Sequence, residues 1–197
     1  MLRIAPSGES FSKIDILTPE IGYALCLQRI SKKNPLQAKP DLFDTAEIQL
    51  ENSRQGTARF VKEYRLLQRR SSIGQSYKRL RIASEFCNLI TQNAPLMGDP
   101  ETLFSITERT LNAFEEGKSP EIILLKSIYL LLRDEGYPVK ESWWPQLPVA
   151  LRNDAKKLIN EPTPETAPQN QLQTCTKVSD NLRTWLNRET DLQFHGS

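Results

Sequence analysis

Few residues in this 197-residue chain could do covalent chemistry. The single histidine, His195, stands three residues from the end. That count excludes a histidine-based triad, a multi-histidine metal site and a histidine proton shuttle inside the fold. Gly117, Lys118 and Ser119 resemble the end of a phosphate-binding P-loop, but Asn112 stands where the motif needs its first glycine, and a helical pattern precedes it where a strand is required. The triplet reads as a helix stop followed by a helix start. The acidic pairs Glu115 with Glu116 and Asp134 with Glu135 fall at expected helix ends and read as solvated surface. Cys26, Cys87 and Cys175 are scattered, odd in number and without a nearby histidine, so they form neither a disulfide framework nor a zinc set. No catalytic residue, cofactor or metal is expected, and no small-molecule substrate.

Charge is the more informative signal. Residues 1–82 carry 15 Lys and Arg against 8 Asp and Glu, whereas residues 83–136 carry 4 against 9. Between positions 54 and 82 stand Arg54, Arg59, Lys62, Arg65, Arg69, Arg70, Lys78, Arg79 and Arg81, with Glu63 as the one acid. With Arg29, Lys32, Lys33 and Lys39 they make a candidate nucleic-acid surface, because a cationic face gains by releasing the counterions condensed on a polyanion. The competing reading is a solvated basic surface.

The elements that would carry these cations divide near residue 70. Before it, apolar and polar residues alternate as in strands: Leu2–Ile4, Ser12–Leu17, Tyr23–Ile30, Thr45–Glu51 and Ala58–Leu67. In the last of these Phe60, Tyr64 and Leu66 are expected on one face, with Arg59, Glu63 and Arg65 on the other. Five short strands suit a small barrel that hides its edges. After Ser71 the period becomes helical. Leu80, Ala83, Phe86, Cys87 and Ile90 form one stripe; Asp99-Pro100-Glu101 and Ser119-Pro120-Glu121 are helix starts; Gly117 and Gly136 are stops. Trp143 and Trp144 are expected to cover the end of the bundle, and Val178, Leu182, Trp185 and Leu186 to line one face of a last helix packed on its own chain. The expected fold is α+β: an N-terminal OB-fold β-barrel over 1–70, a C-terminal α-helical domain over 71–160, a proline-rich linker over 161–173, and an amphipathic helix and tail over 174–197. No signal peptide or membrane span is expected, and a reducing cytoplasm is the expected compartment.

Ser7-Gly8-Glu9-Ser10, then Leu17-Thr18-Pro19-Glu20 and Gly22, resemble the opening of the recombination mediator RecO family, and Leu124, Leu125, Leu130, Leu131, Gly136, Tyr137 and Pro138 resemble its leucine-rich helix and the turn after it. The resemblance spans roughly residues 2–140. It implies a DNA repair and recombination protein that binds single-stranded DNA, promotes strand annealing or recombinase loading, and contacts a RecR-like partner and single-strand binding protein. The chain would be a short, divergent member: Gln28 and Arg29 replace a Lys-Gly pair common in the family, Asn88 and Leu89 follow Cys87 where an acid is often found, and the zinc-binding cysteine cluster of many relatives is missing. The alternative is a non-catalytic interaction scaffold whose OB-fold has lost DNA binding.

Overall fold

The computed structural model describes residues 1–30, 39–53 and 59–194. It is a mixed α+β structure. A five-stranded open sheet is followed by six helices. The strands are β1 (Arg3–Ser7), β2 (Phe11–Thr18), β3 (Gly22–Arg29), β4 (Thr45–Asn52) and β5 (Arg59–Gln68), in the spatial order β1-β2-β3-β5-β4. β1, β2 and β3 form an antiparallel meander, β4 and β5 an antiparallel pair, and β5 crosses over to lie parallel to β3. The two edge strands approach at one point: the Met1 nitrogen donates to the Asp44 carbonyl (2.7 Å), and the Phe43 nitrogen donates to the Met1 carbonyl (3.0 Å).

One face of the sheet encloses Ile14, Ile16, Ala24 and Cys26, with Ile4, Ile48, Leu50 and Val61 packed against them. The period-two reading of β2, β3 and β4 is therefore correct, but that of β5 is not. A bulge makes Leu50 face Val61 while Gln49 faces Glu63, so Lys62 is left without an opposite residue. An extra residue reverses the alternation of the strand. Tyr64 and Leu66 stay on the inner face with Ile48 and Ala46, while Phe60 moves to the outer face beside Leu27.

The helices are α1 (Tyr77–Asn93), α2 (Pro100–Glu115), α3 (Pro120–Asp134), α4 (Trp144–Gln146), α5 (Val149–Asn160) and α6 (Gln169–Glu189). The expected starts are in place. The Asp99 carboxylate accepts from the Glu101 nitrogen (3.1 Å) ahead of Pro100, and Pro120 opens α3. α3 is buried nearly all round and forms the centre on which α1, α2, α5 and α6 pack. Trp143 is enclosed, meets Trp144 edge-on with 5.7 Å between ring centroids, and donates from Nε1 to Asn181 of α6 (2.9 Å). Trp185 is 2% exposed and donates to the Ser142 hydroxyl (3.0 Å). The last helix therefore docks on its own chain through Val178, Leu182, Trp185 and Leu186.

Helix α6 begins at Gln169, within the proline-rich stretch read as linker. Before it the chain is fastened rather than loose: the Pro164 carbonyl accepts from the Ser119 nitrogen (2.9 Å), and the Ala167 nitrogen donates to the Ser119 hydroxyl (2.9 Å). The sheet meets the helices at Gly22, whose left-handed backbone (φ +68°) faces the Pro100 ring at the start of α2.

Candidate nucleic-acid interface

The register of the sheet decides which cations can share a surface. On the outer face of β2, β3 and β5, Lys13 lies opposite Leu27, Leu27 opposite Phe60, and Phe11 opposite Arg29. Phe11 and Phe60 form a tilted aromatic pair with centroids 5.9 Å apart. Both rings are half-buried, Lys13 is half-buried and Arg29 is exposed. Farther along the same face Asp15 is enclosed, accepting from Arg3 Nε (2.5 Å) and the Tyr23 hydroxyl (2.6 Å). Burial and the bond to Asp15 push the Tyr23 phenol up to about 12, so it stays a hydrogen-bond donor. The outer face thus has a closed polar end toward the helices and an aromatic, cationic end away from them.

Of the ten cations selected from the sequence that lie among the described residues, Arg29 alone stands on this outer patch. Arg59 opens β5 opposite Cys26, on the inner side, and Lys62 occupies the bulge with its side chain exposed. Lys39 is exposed, and its carbonyl accepts from Arg69 Nη2 (2.6 Å). Lys32, Lys33 and Arg54 lie outside the described residues.

The others are engaged by the protein itself. Arg65 forms a two-pronged pair with Glu47 across the β4–β5 ladder (2.6 and 2.8 Å). Arg69 grips Asp44 (2.8 and 3.1 Å). Burial works against the charge of Asp44, yet hydrogen bonds from Arg69 and Tyr64 outweigh it and hold the carboxyl below the usual aspartate range. Lys78 pairs with Glu121 of α3, and Arg81 lies 3.7 Å from Glu85. Arg79 donates to the Ser72 carbonyl (3.0 Å) and lies over Gly117.

Arg70 must be removed from the candidate surface. Its side chain is fully enclosed, and it donates to the Phe43 carbonyl (2.6 Å), the Thr45 hydroxyl (2.8 Å), Glu108 (2.9 Å), and Asn112 (2.7 and 2.9 Å). A buried guanidinium with its donors satisfied this way is a structural joint. It ties the end of β5 to α2 and holds Phe43, whose φ of +66° is unusual for a residue with a bulky side chain.

Sequence reasoning missed the aromatic pair. Phe11 has the parity opposite to Ile14 and Ile16, which already places it outside, but the bulge conceals the matching position of Phe60. Tyr64 is buried and donates to Asp44 (2.6 Å), whereas Tyr77 is 81% exposed at the start of α1. All three cysteines are buried, and burial pushes the thiols of Cys87 and Cys175 up to about 12 and about 11. Among the described residues no cluster of His, Cys, Asp and Glu could hold a metal ion, and no helix is long and apolar enough to cross a membrane. No protein-family model matches the chain, and no curated protein is significantly similar to it.

Proposed function

We propose that this chain is a non-catalytic single-stranded DNA-binding protein of the RecO type, with the sheet acting as an OB-fold. The observation that carries this reading is the Phe11–Phe60 pair flanked by Lys13 and Arg29 on the outer face of β2, β3 and β5. OB-folds are five-stranded, partly open Greek-key barrels that bind oligonucleotides on the face of their second and third strands. The crossover of β5 to β3 and the single point of approach between β1 and β4 agree with that architecture. Aromatic faces stack bases without regard to sequence while cations meet phosphates. The resemblance of residues 7–22 and 124–138 to RecO proteins then supplies the process: DNA repair and recombination in the cytoplasm, with strand annealing or recombinase loading and contacts to a RecR-like protein and single-strand binding protein.

Titration of a labelled single strand tests the reading. Replacing Phe11 and Phe60 together by Ala is expected to cost about 1–3 kcal/mol for each base that no longer stacks, with the salt dependence unchanged. Replacing Lys13 and Arg29 together by Ala is expected to flatten the slope of log affinity against log salt by about 0.7 for each phosphate that is no longer neutralised. Unchanged affinity in both variants would remove this face from the site.

A second reading, a protein-interaction scaffold, is favoured by the way Arg65, Arg69, Arg70, Lys78 and Arg81 are paired with the protein's own acids. Failure of the unaltered protein to bind any single strand at low salt would select it.

A further inference from the structure

The segment after α6 is bound to the fold as a peptide is bound to a receptor. In residues 191–194 the side chains alternate, with Leu192 and Phe194 buried and Asp191 and Gln193 exposed. That is the period of a strand, yet among the described residues no strand pairs with it; two asparagine side chains do so instead. At Asn93, the last residue of α1, the Gln193 nitrogen donates to Oδ1 (2.8 Å) and Nδ2 donates to the Gln193 carbonyl (2.8 Å). Asn187 of α6 repeats the arrangement one residue on, accepting from the Phe194 nitrogen (3.1 Å) and donating to the Phe194 carbonyl (3.4 Å).

A carboxamide carries the same donor and acceptor as a peptide group, so each clamp imitates one rung of a neighbouring strand and is indifferent to the side chain it holds. Asn93 is 1% exposed, and its Nδ2 also donates to the Leu89 carbonyl (2.8 Å), which fixes the orientation of its amide. Selection falls to the two buried side chains. The Arg183 guanidinium lies 4.4 Å from the centroid of the Phe194 ring, and its Nη2 donates to the buried Glu85 of α1 (2.7 Å). A cation held against that seat favours an aromatic face over an aliphatic chain. The hold on the segment is local: Asn187 is exposed, its two bonds are the longer ones, and the segment has no hydrogen-bond ladder of its own. Such parts of a fold open without global unfolding.

We propose that the groove between the ends of α1 and α6 is a peptide-recognition site, occupied in the free protein by residues 191–194. It opens to a partner's extended segment that carries an aliphatic residue two positions before an aromatic one. The occupant seated there defines that partner: the asparagines take any main chain, the seat of Leu192 takes an aliphatic side chain, and the seat beside Arg183 takes an aromatic ring. The chain's own segment competes, so the apparent affinity for a partner is the intrinsic one reduced by the fraction of molecules whose groove is open. The site shares no residue with the proposed DNA-binding face, because Phe11, Lys13, Arg29 and Phe60 stand on the sheet.

A labelled peptide with the sequence of residues 189–194 tests this on the full chain by anisotropy, beside a control peptide in which its leucine and phenylalanine are both serine. Phe194→Ala loosens the chain's own segment, and this variant is expected to bind the peptide about tenfold more tightly than the unaltered chain does. The control peptide should bind neither. Asn187→Ala, at an exposed position and added to Phe194→Ala, is expected to weaken the peptide about fivefold through loss of its main-chain bonds. Hydrogen exchange needs no substitution: in the unaltered chain the amides of Gln193 and Phe194 should exchange faster than those of residues 182–186. No binding to Phe194→Ala, equal affinity for the two chains, or equal binding of the control would each overturn the proposal. So would amides at 193 and 194 that exchange as slowly as those of α6, because the groove would then be permanently filled.

Discussion

The helical region and the sheet solve the problem of burial differently. The helices enclose a continuous set of large side chains, with Phe86, Phe114, Trp143 and Trp185 all sealed from water around α3. Among the described residues, the interior of the sheet encloses the small set Ile14, Ile16, Ala24 and Cys26 with the buried ring of Tyr64, while Leu25 and Leu67 are exposed and Phe11 and Phe60 are half-covered. Stability and availability are thus divided between the two regions. Apolar area removed from water stabilises the helical part, whereas the sheet keeps part of its apolar area on the surface, where a binding partner can cover it. What compensates the small interior of the sheet is its attachment to α2 through Arg70, which donates to Glu108 and Asn112, and Thr45, whose hydroxyl donates to Glu108.

The attachment is where this division is most exposed to test. Arg70→Ala takes a charged donor from Glu108, Asn112 and the Phe43 carbonyl, while Glu108 keeps the Thr45 hydroxyl and Asn112 the Gln68 amide, and is expected to cost about 3–5 kcal/mol, read from urea unfolding. If the sheet depends on this joint, amides of β4 and β5 will lose exchange protection before those of α3. An unchanged unfolding midpoint would show that the sheet stands without it.

Trp185→Ala probes the other side. It removes an enclosed indole and its bond to Ser142 and is expected to cost about 3–5 kcal/mol, with loss of protection in α6 and α3 but not in the sheet. Loss confined to α6 would show that the helices form separate units.

Acid should act first on the sheet. The carboxyl of Asp44 is held below its unfolded value, so its contribution to stability is complete above about pH 4 and is lost as pH falls through the depressed folded pKa. Replacing Asp44 by Asn should abolish that part of the acid dependence in a pH series of unfolding midpoints; a series identical to that of the unaltered chain would dismiss Asp44 as its source. The smallest effect is expected at Arg65→Ala. Both members of its pair with Glu47 are exposed to solvent, and the unfolding midpoint should not move. A clear drop would mean that the β4–β5 ladder depends on it.

The order and kind of the elements as far as α3, and the presence of a last helix, were legible along the chain, whereas α5 was not. Alternation in β2, β3 and β4, the Asp99-Pro100 and Ser119-Pro120 starts, the stops at Gly117 and Gly136, and the inward face of α6 are local patterns, because backbone geometry repeats every two residues in a strand and every 3.6 in a helix. Which cations face water, and which face of β5 carries Phe60, were settled only by folding. A bulge belongs to a pair of strands, so nothing within β5 announces that Lys62 is the extra residue. Arg70 looks like its neighbour Arg69 in sequence, and its partners Glu108 and Asn112 stand 38 and 42 residues away. A charge can be buried only where distant groups converge to satisfy it, and that convergence is a property of the folded chain.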